Sequence, residues 1–78
     1  MSRRDKLIEQ MRNSPGEIRF GSVAALLSHE GFVVFNKRGS HRTYHHKDGR
    51  VLTIVVPHGS RKTCHPSDIQ KLLKVLAL

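Results

Sequence analysis

The sequence predicts an α+β fold: a three-stranded antiparallel sheet with helices packed on one of its faces, in the order ααβββα. Three observations predict it. Two segments with apolar residues at helical spacing precede Gly31, and three runs rich in β-branched and aromatic residues follow it. A closing segment then places Ile69, Leu72, Leu73 and Leu76 at i, i+3, i+4 and i+7, the stripe of an amphipathic helix.

The first helix is expected from Arg3 to Asn13, with Ser2 as its cap, Asp5 three residues later, and an apolar stripe of Leu7, Ile8 and Met11. Ser14-Pro15-Gly16 breaks it. The second helix is expected from Ser22 to Glu30, closed by Gly31, with Val23, Leu26 and Leu27 toward the core and His29 toward solvent.

The strands are expected at Phe32–Phe35, Arg42–His45 and Val51–Val56. Gly39 marks the first turn, and Asp48-Gly49 is the pair that favours a tight hairpin between the second and third strands. Pro57 closes the third strand, a basic loop runs to His65, and Pro66-Ser67-Asp68 opens the last helix. With helices on one face, the other face of the sheet is expected to carry polar residues to water.

Seventy-eight residues fit one small domain with a small core, and a 37% hydrophobic content spread along the chain favours folding over disorder. Cys64 is the only cysteine, so no internal disulfide forms and a reducing compartment is the natural setting. No stretch approaches the roughly 20 apolar residues of a membrane span, and Met1-Ser2-Arg3-Arg4-Asp5-Lys6 is not followed by the apolar core of a signal peptide. A soluble, cytoplasmic protein without membrane contact is expected.

Lys and Arg number 14 against 6 acids, for a net charge of +8. Between Gly31 and Ser67 lie Lys37, Arg38, Arg42, Lys47, Arg50, Arg61 and Lys62 against Asp48 alone, so that stretch carries +6. A field of that sign draws polyanions such as RNA, or an acidic protein surface. It selects a class of partner, not an activity.

Five of the six histidines fall in the same stretch: His41, His45, His46, His58 and His65. Metal ligation, acid–base catalysis and incidental surface polarity compete to explain them. His41 and His45 share a strand face but stand roughly 13 Å apart, from steps of about 3.3 Å, too far for one zinc ion. His45 and His46 point to opposite faces, which leaves His58, Cys64 and His65 as a conceivable set without a ligand-spacing motif. No metal or other cofactor is expected.

Gly39-Ser40-His41-Arg42 instead sets a histidine directly after a glycine turn, among Lys37, Arg38 and Arg42. RNA carries its own nucleophile, the ribose 2′-hydroxyl. Cleavage needs a base to take that proton and cations to stabilise the charge that builds on phosphorus. Histidine suits the first task near neutral pH, and lysine or arginine the second.

The run Gly31-Phe32 through Lys37-Arg38-Gly39-Ser40-His41-Arg42-Thr43-Tyr44-His45-His46-Lys47-Asp48-Gly49, with Thr53-Ile54-Val55-Val56-Pro57-His58, resembles the HicA toxin family. The resemblance spans roughly Leu7 to Leu76. It implies a double-stranded-RNA-binding-like fold, endoribonuclease activity on mRNA and inhibition by a HicB-type antitoxin. It carries the catalytic histidine onto His41 only; Lys37, Arg38, Ser40 and Arg42 around it are expected, from the local chemistry, to bind the RNA. The whole chain, 1–78, is then one such domain, with 1–13 as an added N-terminal helix.

Two departures stand out. Pro66-Ser67-Asp68 replaces the glycine that usually enters the last helix, although Arg61-Lys62 keeps the charge before it, and the Arg3–Asn13 helix is extra relative to the shortest members. Two rivals remain: a non-catalytic RNA-binding module, and an interaction domain whose basic face docks an acidic partner.

Overall fold

The computed structural model describes residues 2–77. Helix α1 (Arg3–Asn13) is followed by a 3₁₀ turn (Pro15–Glu17), helix α2 (Phe20–His29), strands β1 (Phe32–Arg38), β2 (His41–His46) and β3 (Val51–Val55), and helix α3 (Pro66–Val75). The sheet is antiparallel in the order β1-β2-β3, so the expected α+β succession ααβββα is the one observed, and the arrangement is that of a double-stranded-RNA-binding-like domain.

Local chemistry sets the ends of the helices. The Ser2 hydroxyl accepts the Asp5 backbone N–H at 3.1 Å, as its place before α1 predicts. Helix α2 starts at Phe20, two residues earlier than Gly21-Ser22 suggests, because the Arg19 carbonyl already accepts the N–H groups of Ser22 and Val23. The Ser14-Pro15-Gly16 breaker does end α1, and it folds into the 3₁₀ turn. Gly31 then leaves α2 at φ +90°, in the left-handed region that a side chain resists.

The core lies between the helices and one face of the sheet. Met11 of α1, Val23 and Leu27 of α2, Ile54 of β3, and Ile69 and Leu72 of α3 are fully buried in it, with Phe32, Tyr44 and Leu52 beside them. Leu73 and Leu76 complete the α3 stripe at its half-buried edge. The extra helix belongs to this core through Ile8 and Met11, and Arg4 clamps it to the end of α2 by a 2.8 Å ion pair with Glu30. That pair holds the Glu30 carboxyl below its ordinary range through the Arg4 hydrogen bond, against the opposing effect of burial.

The loop before α3 is pinned to the chain ahead of α2. The Cys64 N–H donates to the Ile18 carbonyl at 2.7 Å, and Arg19 bridges Thr63. No helix among the described residues is long and apolar enough to cross a membrane.

The sheet departs from expectation in two ways. Strand β1 runs three residues past Phe35, because Asn36, Lys37 and Arg38 pair with Thr43, Arg42 and His41 despite their polarity. The register shifts between Val34 and Asn36, a bulge that carries Phe35 out of the regular alternation. The face turned away from the helices was expected to be polar, yet Val33, Phe35 and Val51 are exposed there, beside the exposed His41 and the half-buried Thr43 and Thr53.

Candidate nucleic-acid interface

Strand alternation decides which side chains share a face. Tyr44 in β2 and Leu52 and Ile54 in β3 are buried under the helices, so His41, Thr43 and His45 project from the opposite, open face. Their cross-strand partners on that face are Val55, Thr53 and Val51 in β3. The Thr43 and Thr53 hydroxyls meet at 3.1 Å and hold the middle of this face together.

His41 is exposed at the first position of β2, opposite Arg38 on one side and Val55 on the other. The turn that delivers it depends on Gly39 at φ +57°; a Cβ there meets nothing within 4 Å, so backbone conformation rather than space requires glycine. Ser40 is half-buried, and its carbonyl accepts the Val56 N–H at 2.7 Å, extending the β2–β3 ladder beyond His41. Arg42 points to the other side of β2. Its Nη1 donates to the Gly39 carbonyl at 2.6 Å and to that of His41 at 3.3 Å, so the guanidinium braces the turn. Lys37 and Arg38 are exposed on β1 next to this turn; Arg38, the partner of His41, shares its face, whereas Lys37, the partner of Arg42, starts from the other.

The other histidines separate by environment. His46 lies on the helix side, its Nε2 3.1 Å from the Glu30 carbonyl and its Nδ1 2.9 Å from the Asp48 carboxylate, with its ring edge-on to Phe32. Because a carbonyl only accepts, Nε2 must carry a proton there. His65 caps α3: its Nδ1 accepts the Ser67 N–H at 3.1 Å, which also places its proton on Nε2. His58 is exposed beside a hollow of about 210 Å³ that starts at Val55, the residue opposite His41, and continues along Pro57, Arg61 and His65.

The conceivable metal set does not gather. Cys64 is buried in the core while His58 and His65 are exposed, and among the described residues no three His, Cys, Asp or Glu side chains are grouped to hold an ion. Burial, with Asp68 nearby, pushes the Cys64 thiol up to about 11, so it stays protonated and unreactive at neutral pH.

Two features escaped the sequence reading. Phe35 lies flat on the His45 imidazole on the open face, ring centroids 3.9 Å apart and planes 6° from parallel. The apolar run Phe32–Phe35 signalled a strand, but only the bulge decides that Phe35 faces His45. Asp68, read as part of a helix opening, is buried, and its carboxylate accepts the Val55 N–H at 3.1 Å and meets Lys71 at 3.2 Å.

No curated protein and no solved structure matches the chain. A family model does: the HicA toxin of bacterial toxin–antitoxin systems matches residues 22–78, from the first turn of α2 through α3, with the Gly39-Ser40-His41-Arg42 turn inside the match and α1 ahead of it. On that match over most of its length, the chain belongs to the HicA toxin family of bacterial toxin–antitoxin systems.

Proposed function

We propose that this chain is an endoribonuclease that cleaves mRNA with His41 as its proton-transfer residue, and that a HicB-type antitoxin restrains it by covering the same surface. The observation that carries the reading is the placement of His41: exposed, first in its strand, delivered by a glycine turn, and opposite Arg38. His41 takes the proton of a ribose 2′-hydroxyl. The 2′-oxygen then attacks phosphorus, the bond to the 5′-oxygen breaks, and the leaving oxygen takes up a proton. Arg38, on the face of His41, stabilises the charge on the phosphate, Lys37 binds the RNA backbone beside the turn, and Ser40 and Arg42 hold the turn and bound strand in register. The 78 residues act as one HicA-like domain in the cytoplasm, with the 1–13 helix as an added brace.

The test is cleavage of a defined single-stranded RNA by the purified protein. Products should carry 2′,3′-cyclic phosphate and 5′-hydroxyl ends, a 2′-deoxy residue at the cleaved position should block reaction, and EDTA should leave the rate unchanged. Binding of RNA without cleavage would instead favour the non-catalytic module, and loss of activity in EDTA with rescue by a divalent ion would overturn the metal-free mechanism.

A further inference from the structure

His41 occupies one end of the open sheet face, and an apolar patch occupies the other. There Phe35 is 68% exposed, flanked by Val33 at 64% and Val51 at 52%. Apolar surface of this kind, gathered on one face of so small a domain, marks a contact site. Its chemistry narrows the occupant. Phe35 and His45 form a parallel two-ring stack whose lower ring is half-buried and whose upper ring faces solvent. A flat, solvent-facing π surface accepts another flat ring, and every nucleobase offers one.

Position and charge narrow it further. His45 lies on the same face of the same strand as His41, roughly 13 Å along it at about 3.3 Å per residue. That separation suits a nucleotide close to, but not directly beside, the one at His41. The stretch Gly31–Ser67, which carries both the stack and the turn, has a net charge of +6, a sign that suits a phosphate backbone. A base within a duplex cannot offer its face to this ring, so the platform selects unpaired RNA.

We propose that the Phe35–His45 stack is a base-binding platform that holds an unpaired nucleotide of the single-stranded RNA cleaved at His41, a short way along the strand from the cleaved one. The nucleobase extends the stack on the outer face of Phe35, and Val33 and Val51 close around its edges. The platform rests on the reading of the chain as a ribonuclease, but it is measured by binding, independently of cleavage.

The chain has no tryptophan and its one tyrosine is buried, so Phe35→Trp introduces a unique fluorophore at the platform. The probe is an uncleavable all-2′-deoxy single-stranded oligonucleotide, with the corresponding duplex beside it. Expected is quenching of the Phe35→Trp emission by the single strand at a concentration where the duplex has little effect. Phe35→Ala should weaken single-strand affinity by about 5- to 150-fold, the loss typical of one stacked base, with its melting temperature showing that the fold is retained. Phe35→Tyr should restore the affinity lost in Phe35→Ala. Unchanged affinity in a folded Phe35→Ala chain, or equal quenching by single strand and duplex, overturns the platform. So does a Phe35→Ala chain that keeps its RNA affinity but escapes inhibition by an antitoxin, which assigns the patch to protein contact. Failure of the wild type to cleave RNA while these binding results hold sinks the nuclease reading and leaves the platform standing.

Discussion

The carboxylate of Asp68 accepts the backbone N–H of Val55 at 3.1 Å, joining the first turn of α3 to the last residue of β3. Val55 is the cross-strand partner of His41, so a buried helix residue fixes the strand against which the candidate catalytic histidine sits. Asp68→Ala leaves the Val55 N–H without its acceptor and should lower stability by about 1–3 kcal/mol in urea unfolding. Asp68→Asn keeps an acceptor oxygen and should cost less. Equal losses in the two variants would show that the Lys71 pair, not the Val55 bond, is what matters.

Leu72 is fully buried where α3 crosses the core. Leu72→Ala should cost roughly 2–5 kcal/mol, a large share of the stability of so small a domain. An unchanged melting temperature would remove α3 from the core.

The Arg4–Glu30 pair ties α1, which precedes the family match, to the rest of the domain. The Arg4 hydrogen bond depresses the Glu30 carboxyl in the folded state. The folded chain therefore binds fewer protons at this group than the unfolded chain, and stability from the pair is fully present above the ordinary carboxylate range. It is lost as pH falls through the folded value. Glu30→Gln should shrink the acid-induced loss of stability measured by urea unfolding at successively lower pH. A variant with the wild-type acid slope would show that the pair does not brace α1.

If Lys37 and Arg38 contact phosphates as proposed, RNA affinity should depend on salt. For a single strand the logarithmic slope is about −0.7 per neutralised phosphate, so replacing both residues with glutamine should flatten it by up to about 1.4. An unaltered slope would move the phosphate path elsewhere, the hollow lined by His58 and Arg61 being the nearest alternative.

The fold was legible where one local rule acted alone. Ser2 capped, Asp48-Gly49 turned the chain, and the Ile69–Leu72 spacing found the core. It was illegible where partners far apart in sequence decided. Asn36, Lys37 and Arg38 are polar, and only pairing with β2 makes them a strand; the bulge that turns Phe35 onto His45 exists only in the assembled sheet. The site divides in the same way. The Gly-Ser-His-Arg motif carried His41 in four consecutive residues, whereas His46, His65 and Asp68 take their partners from other elements or from cap geometry that residue type alone does not signal. His65 fills a cap position usually held by serine, threonine or aspartate, so nothing in its identity announced the role.

The central claim is that His41 moves a proton during cleavage, and its most direct test is the single-turnover rate of His41→Ala at saturating RNA. The rate should fall roughly 10²- to 10⁴-fold. Melting temperature should hold, because His41 is exposed, and His29→Ala, an exposed histidine at the end of α2, should keep the wild-type rate. A His41→Ala chain that cleaves saturating RNA as fast as wild type would contradict the account.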